Sequence, residues 1–189
     1  RGGVFQELGI KFREEMREAT GKTTSGAEET LAFVTELIED QLSVEAIHRL
    51  YADVHIDDLV AALDKGFDRS PAEAPSAETL AKMDKSGVLC LVRPDGSAEW
   101  LSPKIGEFDG LRALDGLWLE ELLSDVGHSV TYQHGVDRVL AAVAEGTAQA
   151  AVLIRPVSVV EIERTAREGV VMPPKSTFFT PKLLTGLVI

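Results

Sequence analysis

The residues with the most chemical promise lie in GVVMPPKST, positions 169–177. This stretch differs at one position from G-x-x-x-x-G-K-[ST], the pattern of a phosphate-cradling loop: Pro174 stands in place of the second glycine. Such a loop holds phosphate through consecutive backbone N–H groups at the start of a helix. Pro173 and Pro174 have no N–H to offer, and each fixes φ at about −65°. A helical pattern precedes the segment, and Pro181 would interrupt any helix after it. A P-loop is therefore excluded.

What remains is a proline-stiffened segment, MPPKSTFFTPK (172–182), holding three of the chain's eight prolines. It sets Lys175 and Lys182 among Ser176, Thr177 and Thr180, with Phe178 and Phe179 as apolar anchors. In an acidic chain, two lysines beside three hydroxyls make a spot that favours an anion. A stiff backbone also lowers the entropy lost on binding. The plainer alternative is a structural tie that fastens a last strand to the core.

Other candidates sit at strand positions. In LSVEAIHRL (42–50) side chains alternate, so Val44, Ala46, His48 and Leu50 share one face, and Ser43, Glu45, Ile47 and Arg49 the other. His48 is either a site residue or a core histidine satisfied by one hydrogen bond. Arg49 points the opposite way and cannot share its pocket directly. Arg155 ends an apolar strand, where its fork of donors could reach an anion; an ion pair with an acidic neighbour is the alternative. Tyr132 and His134 end another strand and carry a weaker signal. The pairs Asp57-Asp58 and Glu14-Glu15 read as helix-start charges and solvated faces.

The elements that must position these residues follow from periodicity. Phe5, Leu8, Phe12 and Met16 mark a helix over 4–19, stopped by Gly21. LAFVTELI (31–38) and LSVEAIHRL (42–50) read as a β-hairpin. Asp57 is expected to cap a helix ending near Gly66. DRSPAEAPS (68–76) is the best linker, and a short helix starts near Ala77. VLCLVR and SAEWLS flank Pro94-Asp95-Gly96, a hairpin turn. Asp115 is expected to cap a helix with Trp118, Leu119, Leu122, Leu123 and Val126 as its apolar stripe. Then come strand SVTYQ, helix GVDRVLAAVAEG, strand AQAAVLIRP, a helix opened by Ser158 and Glu161, and a last strand LLTGLVI. The expected class is α/β (mixed α+β): a layered mixed sheet with helices packed on it. Hairpins occupy the first half and a β-α-β-α-β run the C-terminal end. The expected division is 1–67, a linker at 68–76, and a C-terminal α/β domain at 77–189.

The totals narrow the function classes. The chain has 189 residues, 44% hydrophobic, enough for one full core or two small ones. A net charge of −12 and a pI near 4.8, with no basic cluster longer than a pair, argue against nucleic-acid binding. No apolar run approaches roughly 20 residues, so no membrane span is expected, and the start lacks the pattern of a signal peptide. The single Cys90, in apolar GVLCLV, fits a buried residue in a reducing cytoplasm. His48, His55, His128 and His134 have no zinc-site spacing, and no metal or cofactor is evident in the chain.

MPPKSTFFTPKLLTGLVI is very similar to the C-terminal signature of the prokaryotic family known as domain of unknown function 1015, commonly Met-Pro-Pro-Lys-Ser-Thr-Tyr-Phe-x-Pro-Lys followed by Gly-Leu-Val. LAFVTELIEDQLSVEAIHRL resembles that family's middle hairpin, with its His-Arg pair at His48 and Arg49. VTYQHGVDRVLAAVAEGTAQAAVLIRPVSVVEIERTAREG resembles its closing β-α-β-α stretch. The likeness covers most of residues 12–189. Full-length members carry an upstream Asp-Gly-His-His-Arg-Tyr motif, similar to the phosphate motif of ParB-like proteins and free-serine kinases. The resemblance implies a cytoplasmic parent that is an ATP-dependent, Mg-using kinase of free serine in at least some members. Its ligand would be a nucleotide or small anion, and a homodimer is compatible with it.

RGGVFQELGI contains no such motif. The chain is thus expected to be a fragment or a degenerate member, contributing a phosphate or small-anion site without being active alone. The alternative is a non-catalytic structural or oligomerisation module with MPPKSTFFTPK as a core tie.

Overall fold

The computed structural model describes residues 2–22, 36 and 43–180, with residues 2–9 as backbone only. The chain divides into two units, residues 1–36 and 37–189. In the first, helix α1 (Gly2–Thr20) ends where expected: Gly21 takes φ +64°, and its N–H donates to the Arg17 carbonyl at 2.9 Å. Glycine adopts that left-handed turn at little steric cost.

The second unit holds two short strands apart from the main sheet: β1 (Ser43–Glu45) pairs antiparallel with β8 (Phe178–Thr180). The six-stranded sheet contains β2 (Ile47–Ala52), β3 (Phe67–Ala72), β4 (Leu89–Val92), β5 (Ala98–Pro103), β6 (Ser129–His134) and β7 (Ala150–Leu153), in the order β3-β5-β4-β7-β2-β6. Every neighbouring pair is antiparallel. Strands β6 and β7 both run against β2, so they are parallel to one another with β2 inserted between them. A helix, α5 (Val136–Ala144), links them. The regular β-α-β pattern of the sequence is thus a crossover whose two strands admit a third.

Helices cover both faces. On one face α2 (Ile56–Gly66) and α4 (Asp115–Leu122) bury Leu59, Leu63 and Leu119 against Tyr51, Leu91 and Val152. On the other, α3 (Ala77–Ser86) and α5 bury Met83, Val139 and Val143 against Leu50, Cys90 and Leu153. Consecutive residues of β2, β4 and β7 enter opposite clusters, as a strand's two-residue period requires. Each such side chain, fully buried, adds about 1.5–3 kcal/mol over its exposed state. A sixth helix, α6 (Val159–Arg167), starts at Ser158, whose hydroxyl accepts from the Glu161 N–H.

Three details differ from the sequence expectation. Residues 68–72 of the expected linker are the body of β3, paired with β5 from Phe67↔Pro103 to Ala72↔Ala98. An edge strand tolerates Pro71 because only one side of it needs ladder bonds. Asp57 and Asp115 are not the caps: α2 begins after His55 and α4 after Leu114, with the aspartates in the first turn. The 93–97 hairpin forms as expected, with Gly96 at φ +82°. Residues 31–35, 37, 38 and 181–189 lie outside the described residues. They include most of the first hairpin arm and all of LLTGLVI.

Candidate functional site

β2 is an interior strand with helices over both faces, so its polar residues are carried into the protein. His48 is 1% exposed and Arg49 2%. They point to opposite faces, as the alternation predicts.

Arg49 lies on the α4 side. Its Nη1 donates to the Ile47 carbonyl at 2.5 Å and to the Lys175 carbonyl at 3.4 Å. Its guanidinium stands 4.8 Å from the centre of the Tyr132 ring, a cation–π distance. Gly116 gives it room: a Cβ there would overlap Nη2 and lie 3.3 Å from Cζ. No carboxylate among the described residues reaches ion-pair distance of Arg49. Burial pulls its pKa below the ordinary value, opposed by Tyr51, Tyr132, Glu120 and Asp115. The group is a buried cation held by peptide carbonyls and an aromatic face.

The MPPKST segment meets Arg49 through its backbone. Ser176 Oγ donates to the Pro173 carbonyl at 2.7 Å, closing a turn in which Lys175 takes φ +60°. The chain then enters β8, a strand rather than a helix, in keeping with the exclusion of a P-loop. Lys175 is exposed and has no ion pair among the described residues; Ser176 and Thr177 are half-buried. Lys182 lies outside the described residues. Phe178 stacks on His134 with centroids 4.1 Å apart, while Phe179 stays 37% exposed.

His48 lies on the α3 and α5 side. The Ile154 N–H donates to its Nδ1 at 3.2 Å. Burial, followed by the charges of His134 and Arg49, pushes its pKa down to about 4. Nearby, His134 Nε2 bonds Glu45 Oε2, and Thr180 Oγ1 donates to Glu45 Oε1 at 3.1 Å. The His134 bond is the main reason Glu45 sits below the usual carboxylate range.

Arg155 is placed elsewhere and is already paired. Its Nε lies 3.0 Å from Asp115 Oδ2, its Nη2 2.5 Å from Oδ1, and its backbone N–H 2.8 Å from Oδ2. Burial lowers its pKa, but the Asp115 bond and charge outweigh this and leave it raised. The structure therefore gathers Arg49, Lys175 and Ser176 on one face, His48 on the other, and Arg155 in a structural pair. Gly116 and Glu45 had no place among the sequence candidates. Their only trace was a glycine in the first turn of an apolar helix and a carboxylate two residues from a strand's start. Among the described residues no three His, Cys, Asp or Glu side chains converge as a metal site. No helix there is long and apolar enough to cross a membrane.

No family model matches the chain, and no curated protein matches it. Solved structures do. A conserved hypothetical protein from Pyrococcus furiosus aligns with TM-score 0.52 and 11% identity, over 78% of this chain and 60% of that one. Free serine kinase in complex with AMP aligns with TM-score 0.52 and 14% identity, over 78% of this chain and 57% of that one. A mutant of that kinase with AMP gives 0.52 and 15%, over 77% and 57%. The likeness is one of fold. The chain spans about three-fifths of the length of the structures it matches.

Proposed function

We propose that this chain is the C-terminal part of a protein like the domain of unknown function 1015 family, and that it supplies an anion site to a kinase-like, nucleotide-binding parent. The observation that carries the reading is Arg49: a buried guanidinium with no carboxylate partner among the described residues, touching the Lys175 carbonyl beneath an exposed Lys175. A charge-assisted bond to a phosphate oxygen is about twice as strong as one to a neutral carbonyl. The 3.4 Å contact to Lys175 is also long for a hydrogen bond. A phosphate oxygen would displace that carbonyl, with Lys175 and Lys182 adding charge and Ser176 and Thr177 adding hydroxyls. The shared fold with a kinase solved with AMP supports the choice of ligand. Pro173 and Pro174 offer no N–H cradle, and no carboxylate cluster among the described residues suits Mg. The residues here thus fit one anionic group, with ATP and Mg handled by the rest of a parent acting on a small molecule such as serine.

Calorimetric titration with AMP and with inorganic phosphate at low salt tests this. Binding to the wild type, weakened at least about tenfold in Arg49→Met and in Lys175→Ala, is the expected result. Equal affinity in all three proteins, or no binding to the wild type, sinks it. A second reading rests on its own observation: β8 pairs with β1 and Phe178 stacks on His134. In that reading MPPKSTFFTPK is a tie within a non-catalytic module, and Arg49→Met lowers stability without any ligand effect.

A further inference from the structure

On the face of β2 away from Arg49, a cavity of about 340 Å³ opens between the β1–β2 junction, α3 and the β6–α5 corner. Val44, Ala46, Leu80, Ala81 and Pro156 form its apolar wall, and no lysine or arginine lines it. Of its polar groups, Glu45 and His134 satisfy each other. His48 and Asp84 are left over. Because the Ile154 N–H occupies Nδ1, the neutral His48 ring carries its proton on Nε2. Its low pKa keeps the ring neutral at ordinary pH, so Nε2–H is a fixed donor. No acceptor among the described residues takes it, and since no fully buried side-chain polar atom there lacks a partner, Nε2 belongs to the small part of the ring left accessible. Asp84, exposed on α3, takes no hydrogen bond or ion pair within 4 Å from the described residues, although its charge reaches Arg155 and helps to raise that residue's pKa.

We propose that this cavity binds a small uncharged amide, its carbonyl oxygen accepting from His48 Nε2–H, its N–H donating to Asp84, and its short apolar body lying on Leu80 and Val44. The chemistry selects against the alternatives. A carboxylate or phosphate would face Asp84 and Glu45, and the His134 that lines the cavity is already engaged by Glu45. An ammonium or a hydrocarbon would leave the His48 proton without an acceptor. The volume lies within the range of roughly 300–1,000 Å³ usual for small-ligand pockets. The site goes beyond the anion reading, since Arg49 points to the other face of the sheet.

The test uses 3-methylbutanamide with two isosteres, 3-methylbutanoate and 3-methylbutylamine, titrated into the full chain and followed by nitrogen-edited NMR. The amide is expected to saturate, shifting the His48 ring and the Ile154 amide signals, with each isostere at least about tenfold weaker. His48→Asn keeps an acceptor for the Ile154 N–H but is too short to place a donor where Nε2 stands, and should weaken the amide by a similar factor. Leu80→Trp fills the apolar wall and should abolish binding. Arg49→Met should leave amide affinity unchanged while removing anion binding. The proposal is overturned if the amide does not saturate, if the carboxylate binds as tightly, or if His48→Asn binds the amide as wild type does. Should His48→Asn fail to fold, the three-ligand comparison and Leu80→Trp decide alone.

Discussion

Gly116→Ala probes the environment of Arg49 with one methyl group. Gly116 is the second residue of α4, and its φ is not in the left-handed region, so alanine meets no backbone strain. In an ordinary helix this swap stabilises by up to about 1 kcal/mol. Here the new methyl would overlap Arg49 Nη2 and press on Cζ at 3.3 Å. Arg49 is confined on its other side by the Tyr132 ring at 4.8 Å. Its Nη1 is tied to the Ile47 carbonyl at 2.5 Å, a bond that a retreat from the methyl would strain. Losing a hydrogen bond to a charged group costs about 1.5–3 kcal/mol, and overpacking strain is of the same size. Set against the propensity gain, the net expectation is a loss of about 1–2 kcal/mol. For a unit of this size that is a melting temperature lower by about 2–4 °C per kcal/mol.

The sign should reverse when Arg49 is gone. Urea unfolding of wild type, Gly116→Ala, Arg49→Met and the double variant closes the cycle. In the Arg49→Met background Gly116→Ala should be neutral or stabilising by up to about 1 kcal/mol. A coupling energy of about 1.5–3 kcal/mol would match the hydrogen-bond estimate. If Gly116→Ala destabilises equally in both backgrounds, the methyl meets something other than Arg49 and the reasoning fails.

Three further outcomes are expected. Arg155→Met should cost about 3 kcal/mol in chemical denaturation, because it strands the Asp115 carboxylate, whereas Arg49→Met should cost far less or stabilise, since it removes a buried charge that has no carboxylate partner among the described residues; equal costs would contradict the pairing assigned to each. The folded pKa of His48, about 4, lies below the ordinary histidine value of about 6.5. Between these values the unfolded chain takes a proton that the folded chain refuses, so stability should fall as pH drops from about 6.5 to about 4, by about 3 kcal/mol in all. His48→Asn should flatten that slope in denaturation curves at stepped pH, while the loss tied to Glu45, whose pKa is depressed, comes only at lower pH. Lys175→Gly should relieve about 1 kcal/mol of left-handed strain, raising the melting temperature, and yet weaken phosphate binding; a lower melting temperature would mean that the lysine side chain itself holds the turn.

The elements were legible where a local pattern decides them. The 93–97 hairpin, the α6 start at Ser158 and the β6–α5–β7 unit all follow from turn chemistry and periodicity. Residues 68–72 were not, because DRSPA has almost no apolar content. It is strand only because β5 offers it a ladder, a partner that is distant in sequence. Asp115 reads locally as a helix cap, yet the nearby Arg155 binds its carboxylate more strongly than helix N–H groups would. The opposite facings of His48 and Arg49 were readable from alternation. That both faces are covered was not, since it depends on β2 being inserted between β6 and β7.

Among the described residues, the absence of a carboxylate at Arg49 is not for want of acidic residues. The chain has 31 Asp and Glu. Other arginines take theirs: exposed Arg69 pairs with Asp64 and Glu99, and the half-buried Arg93 with Glu99, Arg112 with Glu161, and Arg155 with Asp115. Arg49 is more deeply buried than any of these and so has the greatest need of a counter-charge. Its surroundings instead supply a tyrosine ring, two carbonyls and the space left by a glycine. Asp115 and Glu120 are close enough to raise its pKa but not to bond it. Such an arrangement stabilises a cation only partly, and its remaining stabilisation is available to an incoming anion. Neutralising it internally, by Tyr132→Glu, should therefore raise stability and abolish phosphate binding together. Retained phosphate affinity in that variant would show that Arg49 is not the group the anion meets.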